Sequence, residues 1–314
     1  MRYLITDGNS IFGKKMIELL LSKTETEKIF ATKRSDEDGV KLDKLEWVDL
    51  DLRNVEDTNR VVKDAKADII FDFVSQESVS LSWQEPAETV DINVVGTINL
   101  LNAVRDYSPN SRLVIDGSGE EYGHVDFDDL PIKEDAVPKP DNIFGATKAC
   151  QTMFAKLYYQ AFGLDIIILR TFNKTSALQD ERFAVSSFCK QFAEIEAGKR
   201  EPVIYTGNLD NIRDFTDVDD LIRAFDLVAE KGKSGEVYNA ARGEATTLMD
   251  IINILEQLTG IKVRIVRDAD RVRPMDAPAM YADVSKLRED TGWKADISVE
   301  EMVRKIINNY RSNM

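Results

Sequence analysis

The feature that most limits what this chain can become is the regular exchange of short apolar runs and amphipathic stretches along its first half. Residues 2–6 (Arg-Tyr-Leu-Ile-Thr) form a β-rich run, and a polar turn, Asp7-Gly8-Asn9-Ser10, leads into Ile11–Leu21 with its apolar positions at helical spacing. The unit recurs. Lys28–Thr32 and Leu45–Leu50 read as strands, 54–65 as a helix, Asp68–Val74 as a strand, Asp91–Arg105 as a helix and Arg112–Asp116 as a strand. Cys150–Phe162 and Asp165–Thr171 add one more helix and strand. Asp68–Val74 and Arg112–Asp116 are continuous apolar runs, the pattern of a parallel strand covered on both faces. The alternation predicts an α/β fold built on a doubly wound parallel sheet.

After Phe172 the pattern loosens. Phe183–Ala197 and Val218–Ala229 read as helices, Pro202–Tyr205 as a strand, and Glu236–Asn239 as a strand rejoining the main sheet. Residues 247–259 are helical, Lys262–Val266 is a short strand, and Val299–Arg311 is a closing helix. The chain thus divides into a main domain, 1–172 rejoined by 216–246, and a smaller discontinuous lobe, 173–215 with 247–314, over the carboxyl ends of the strands.

Charge narrows the partners. With 56 acidic against 41 basic residues the formal charge is −15, which disfavours nucleic acid or an anionic membrane, since both need a basic footprint. The two cysteines, Cys150 and Cys189, lie far apart, and a single histidine, His124, excludes a multi-histidine metal centre; no metal is expected. No apolar run reaches the ~18 residues of a membrane span, and a strand stands where a secretory segment would lie. A cytoplasmic protein is expected.

The first turn is where a Rossmann-type sheet holds a dinucleotide pyrophosphate, with glycines allowing close backbone approach. Here it reads Thr6-Asp7-Gly8-Asn9-Ser10-Ile11-Phe12-Gly13. Asp7, Asn9, Ser10, Ile11 and Phe12 are the candidate contacts. Lys33 and Arg34 end the second strand, where a basic pair suits a 2′-phosphate, so NADP(H) is favoured with NAD(H) possible. A solvated basic loop explains the same pair equally well.

Further strings fall in a set order. They are Phe73-Val74-Ser75-Gln76 with Ser82-Trp83 and Pro86, Asn93-Val94-Val95-Gly96-Thr97, Gly117-Ser118-Gly119-Glu120-Glu121-Tyr122-Gly123, Phe144-Gly145-Ala146-Thr147-Lys148 and Arg170-Thr171-Phe172-Asn173. Gly207-Asn208-Leu209-Asp210, Arg213-Asp214-Phe215-Thr216-Asp217-Val218 and Arg271-Val272-Arg273-Pro274-Met275-Asp276 complete the set. Together they resemble the extended short-chain dehydrogenase/reductases of the epimerase/dehydratase family, most of all the enzymes that reduce or dehydrate GDP-hexoses. The phosphate turn departs from that family's T-G-x-x-G-x-x-G, since only Gly13 matches and Asp7 and Ser10 fill the other two places.

The resemblance implies a cofactor site that includes Asp51 and Leu52 at the adenine, Val74 and Ser75 beyond the fourth strand, and Lys148 on the nicotinamide ribose. It implies Ser118, Glu120, Lys148 and residue 144 as the catalytic set, and Ser82, Asn173, Asn208, Arg213 and Arg273 as contacts to a GDP-sugar. It also implies a homodimer formed through the helix that carries Lys148 and its neighbour. Residue 144 stands where the family has its catalytic Tyr, and here it is Phe. A ring of the same shape remains without a hydroxyl to move a proton. Three readings follow: a Tyr→Phe change that traps a complex, an enzyme that routes the proton through Ser118 and water or through Tyr122 or His124, or a non-catalytic dinucleotide-binding protein. Among enzymes, 4-keto reduction is favoured, with 4,6-dehydration, 4-oxidation and epimerisation as alternatives.

Overall fold

The computed structural model describes residues 1–34, 36–37, 39–268 and 277–313. Along the chain run β1 (Arg2–Ile5), α1 (Ile11–Ser22), β2 (Lys28–Lys33), β3 (Leu45–Asp49), α2 (Val55–Ala65), β4 (Ile69–Asp72), α3 (Val79–Gln84), α4 (Pro86–Val90), α5 (Gly96–Tyr107) and β5 (Arg112–Ser118). Then come α6 (Ile143–Phe162), β6 (Ile166–Thr171), β7 (Asn173–Thr175), α7 (Ala184–Glu196), β8 (Val203–Thr206), β9 (Ile212–Arg213), β10 (Phe215–Asp217) and α8 (Val218–Lys231). β11 (Val237–Ala240), β12 (Thr246–Thr247), α9 (Leu248–Thr259), β13 (Arg264–Arg267), β14 (Ala279–Met280), α10 (Ser285–Thr291) and α11 (Val299–Ser312) close it.

Seven strands form one sheet in the order β11-β6-β5-β4-β1-β2-β3, and each neighbouring pair is parallel. Strand pleating sorts the apolar residues to two sides. Tyr3, Ile5, Phe71, Val114 and Leu169 join Phe12, Met16 and Leu20 of α1 and Leu221 and Phe225 of α8. Leu4, Ile70, Leu113, Ile115 and Ile168 face Val61 and Val62 of α2 and Leu100, Leu101 and Val104 of α5. Every strand order reversal leaves a crevice at the carboxyl ends, here between β1 and β4.

A third cluster joins Phe188, Cys189 and Phe192 of α7, Ile251 and Leu255 of α9 and Val303 and Ile307 of α11. Leu287 of α10 and Trp293 pack instead against the main core. Helices α4 and α5 are continuous through a π turn at Asp91–Val95, a local widening common at functional sites. It carries the buried Asn93. The largest shift from the sequence expectation is α6, which begins at Ile143 and not Cys150. Its first turn is fixed by the Asn142 side-chain oxygen, Oδ1, accepting the Gly145 N–H at 2.8 Å, a cap of typical kind.

Candidate active site

The carboxyl ends of β1, β4, β5 and β6 gather the groups that matter. Lys148, in the second turn of α6, sends its ammonium into the sheet, donating to the Asp116 backbone carbonyl at 2.7 Å and to Gln151 Oε1 at 3.1 Å. Burial pushes its pKa down, while Asp116 pulls the other way. Phe144 lies one turn earlier on the same face and is buried. Its N–H donates to Ser82 Oγ, whose hydroxyl donates in turn to the Val79 carbonyl. Ser82, expected at the substrate, also ties α3 to the start of α6.

Ser118 ends β5 and is buried, its Oγ accepting the Glu120 N–H at 3.2 Å. Glu120 Oε2 accepts from Asn142 Nδ2 at 2.8 Å. Gly145 is required here, because a Cβ on it would stand 2.3 Å from the Glu120 carbonyl. Only a glycine lets α6 approach the turn after β5 closely enough to bring positions 144 and 148 beside Ser118.

Tyr122 and His124, the alternative proton carriers, are placed differently. Tyr122 is buried, donates to Asn239 Oδ1 at 2.8 Å and accepts from Arg170 Nη1 at 2.8 Å. Burial pushes its pKa up to about 12, which makes it a support for the buried Arg170–Glu121 pair at 2.8 Å. His124 is exposed.

The phosphate turn is built on an Asp in the left-handed region, Asp7 at φ 52°. Ser10 closes the turn, its hydroxyl donating to the Asp7 carbonyl at 2.7 Å and accepting the Gly13 N–H at 3.0 Å. A Cβ on Gly13 would lie 2.3 Å from the Asp7 carbonyl, so α1 starts directly against the turn. Ile11 and Phe12 are the first two residues of α1, and their amides have no acceptor within their own helix. That backbone fits a pyrophosphate. The Asp7 carboxyl bears on the same place: burial, then Glu77 and Glu37, push its pKa up to about 6.

At the end of β2, where the adenosine was expected, Lys33 is paired with Asp49 at 2.6 Å and Arg34 with Glu37 at 3.2 Å. Asp51 is paired with Arg53 at 2.7 Å, whose hydrogen bonds hold its carboxyl below the usual range. Leu52 is buried. The Val74 N–H donates to Thr6 Oγ1 at 3.2 Å, and Ser75 Oγ to Asn93 Oδ1 at 3.3 Å. Asn93 also accepts the Gln76 N–H and donates to Thr147 of α6, so the π turn ties the loop after β4 to the helix of Lys148.

Three residues here escape the sequence reading. Asp72 ends β4, accepting from Thr6 Oγ1 at 2.7 Å. Asp116, on β5, accepts from Thr171 Oγ1 at 2.8 Å. Lys174, on β7, bridges Asp116 at 3.1 Å and Glu77 at 3.0 Å, its ammonium 4.7 Å from the centre of the Phe12 ring. The two carboxylates raise its pKa despite burial. The available signal was an aspartate closing an otherwise apolar strand, since a buried carboxylate requires partners.

On β7, the Asn173 side-chain oxygen is buried with no hydrogen-bond partner among the described residues. Asn208 spends its side chain on its own turn, donating to Asn211 and accepting from Asp210 N–H. Arg213 is half-buried on β9, with Nη1 donating to the Ile212 carbonyl at 2.7 Å. Asp214 behind it accepts N–H groups of Arg242, Gly243 and Ala282, and burial still lifts its pKa to about 7. Arg273 lies outside the described residues, as do Arg271, Val272, Pro274, Met275 and Asp276.

The sequence model of the GDP-mannose 4,6 dehydratase family matches residues 2–306. The chain belongs to that family. Its class is the nucleotide-sugar enzymes of the extended short-chain dehydrogenases/reductases. It is similar to GDP-6-deoxy-D-mannose reductase of Pseudomonas aeruginosa, 28% identical over 247 residues that cover 79% of this chain and 81% of that protein. It is also similar to CDP-paratose 2-epimerase of Salmonella typhi, 25% identical over 336 residues covering 98% of each. In fold it matches a structure of RMD from Pseudomonas aeruginosa complexed with NADPH, at TM-score 0.86 and 23% identity over 100% of both chains. UDP-glucose 4-epimerase from Thermus thermophilus, solved with NAD, gives TM-score 0.86 and 23% identity, again over 100% of both. Family members of these kinds are epimerases, dehydratases and reductases of nucleotide sugars that use a nicotinamide dinucleotide. No helix among the described residues is long and apolar enough to cross a membrane.

Proposed function

We propose that this chain is a nicotinamide-dependent oxidoreductase acting on carbon 4 of a GDP-sugar, reducing a 4-keto group of a 6-deoxy hexose or a heptose. The observation that carries the reading is the convergence of Ser118, Lys148 and the Phe144 ring at the end of β5, with the Lys148 ammonium fixed on the Asp116 carbonyl. The amides of Ile11 and Phe12 would hold the pyrophosphate, Val74 and Ser75 would line the path beyond β4, and Lys148 would hold the nicotinamide ribose. The nicotinamide, when bound, supplies or accepts a hydride. Ser118 donates a hydrogen bond to the sugar oxygen at carbon 4. The Lys148 charge stabilises negative charge developing there; since the Phe144 ring has no proton to give, the proton that completes the alcohol comes through Ser118, which is reprotonated from water. Whether the cofactor is NADP(H) or NAD(H) turns on Lys33, Arg34 and the carboxylates paired with them.

Reduction is the proposed reaction, with dehydration, 4-oxidation and epimerisation as the alternatives within the fold. Glu120, at the place where a dehydratase uses a carboxylate to remove a proton beside the ketone, accepts from Asn142, the cap of α6, through one oxygen, and does not by itself separate the two reactions. The missing hydroxyl of Phe144 favours one reading of another class, a dinucleotide-binding protein without turnover.

Arg213 and the orphan oxygen of Asn173 face the nucleotide sugar in this reading. Arg213→Ala is expected to weaken GDP binding by about 1.5–3 kcal/mol, roughly 10–150-fold. Calorimetry with GDP, UDP and dTDP checks it, and equal affinity for all three would refute the nucleotide preference. A homodimer is proposed through α6, where Met153 and Leu157 are 63% and 55% exposed, an unusual display on a helix beside the active site. Met153→Lys with Leu157→Lys should give a monomer by size-exclusion chromatography with light scattering. An unmodified chain that is already monomeric contradicts the assignment.

A further inference from the structure

We propose that Lys174 is a dinucleotide-binding residue of this chain, the cation that lets an anionic pyrophosphate enter a crevice lined with carboxylates. The inference rests on the dinucleotide reading above and adds a residue from β7, one position beyond the Arg170–Asn173 string.

A dinucleotide in a doubly wound sheet lies across the carboxyl ends of the strands where their order reverses, here between β1 and β4. Lys174 reaches that place from β7. Its ammonium is 4.7 Å from the ring centre of Phe12, in the first turn of the helix after β1, and 3.0 Å from Glu77, in the loop after β4. It also stands 3.1 Å from Asp116 on β5. One side chain therefore touches groups from both sides of the crevice. Phe12, moreover, is a residue whose amide is left over for a pyrophosphate.

Charge gives this position its consequence. The turn and the crevice carry Asp7, Asp72, Glu77 and Asp116. A dianion entering among them meets repulsion that partial burial strengthens. Glu77 bears on the phosphate turn directly, since after burial it is the largest cause of the raised Asp7 pKa. Lys148 is not placed to offset these charges, because its ammonium is buried and held on the Asp116 carbonyl and Gln151 Oε1. Lys174 is. Its inner partner, Asp116, is 4% exposed and its outer partner, Glu77, 44%, so the outer contact is the one open to exchange. A phosphate oxygen in the place of the Glu77 carboxylate keeps Lys174 paired on both sides, while Glu77 turns to water. A half-exposed ion pair is worth little by itself, so the exchange is cheap, and lysine serves phosphate as a point charge on a flexible stem.

The test is equilibrium binding of NADH and NADPH to the full chain at pH 7.5, followed by energy transfer from tryptophan to the reduced nicotinamide. Lys174→Met should weaken both by about tenfold or more, the scale of one charge-assisted hydrogen bond. The factor should be the same for the two, because they share the pyrophosphate and differ only at the 2′ position. Glu77→Gln should act in the opposite direction and tighten both by about threefold or more, since it removes a repelling charge and frees Lys174. Were the pair only a brace for the fold, removing either member would act alike. Glu77 is half-exposed, so Glu77→Gln carries the test even if Lys174→Met does not fold. Unchanged or tighter binding in Lys174→Met, a loss confined to one dinucleotide, or unchanged or weaker binding in Glu77→Gln would overturn the assignment to Lys174 while leaving the oxidoreductase reading intact. Failure of the unmodified chain to bind either dinucleotide would remove the reading on which it rests.

Discussion

Phe144→Tyr is expected to raise the turnover of this chain by about 10²–10⁴-fold, the contribution of a positioned general acid or base. The frame for that hydroxyl is already in place. The ring is buried, its backbone is fixed on Ser82, and Lys148 stands one turn away with its ammonium on the Asp116 carbonyl. A free phenol titrates near ~10, so the neighbouring ammonium would draw it down towards working range. Substrate affinity should change little, because the added oxygen acts in the transition state and not in binding. The check is kcat and KM of both forms with a GDP-4-keto-sugar. If the unmodified chain already turns over at an ordinary enzyme rate, on the order of 1–10³ per second, another group carries the proton, and Ser118→Ala identifies or excludes the serine route.

The second large effect is expected at Asp7. Above pH 6 its carboxyl is charged, and a pyrophosphate at the amides of Ile11 and Phe12 meets that charge; below pH 6 it is neutral. Dinucleotide affinity should therefore rise as pH falls from 8 to 5.5. Asp7→Gly should bind about 10–100-fold more tightly at pH 7.5, by Coulomb's law over several ångströms of partly screened space, and should lose most of the pH dependence. Stability moves the same way. The folded-state pKa of about 6 lies above the ordinary aspartate value of 3.8, so the charged side chain destabilises the fold above pH 6 and not below about pH 4. Glycine also relieves the left-handed backbone at φ 52°. Asp7→Gly is expected to be more stable by about 2–3 kcal/mol at pH 7.5, with the gain shrinking towards pH 4 in denaturant titrations. Flat affinity between pH 5.5 and 8 in the unmodified chain would contradict this account of the turn.

The central sheet was legible because its strands are buried on both faces, and the resulting apolar runs stand out from amphipathic helices. β4 and β5 are the clearest cases, while the two-residue strands β9, β12 and β14 carry no pattern of their own and exist only through tertiary pairing. The start of α6 was missed because Ile143-Phe144-Gly145 has weak helical character; the cap at Asn142 and the close approach at Gly145 impose it. Ser118, Phe144 and Lys148 were legible as motif residues, and the fold brings them together. The carboxylates that neutralise Lys33, Arg34 and Lys174 were not, because a sequence shows the charges and not which of them meet. Ser82 and Asn208 show the converse, with motif residues whose polar atoms are taken up by the chain itself.

Following the hydride decides whether this chain is a reductase. Phe144→Tyr protein is incubated with NADH deuterated at the transferable position of carbon 4 and with a GDP-4-keto-6-deoxy hexose, and the sugar is analysed by mass spectrometry and NMR. One deuterium at carbon 4 of the sugar for each NADH consumed is the expected result. Unlabelled sugar with the cofactor unchanged, in both the Phe144 and Tyr forms, would contradict the reductase reading.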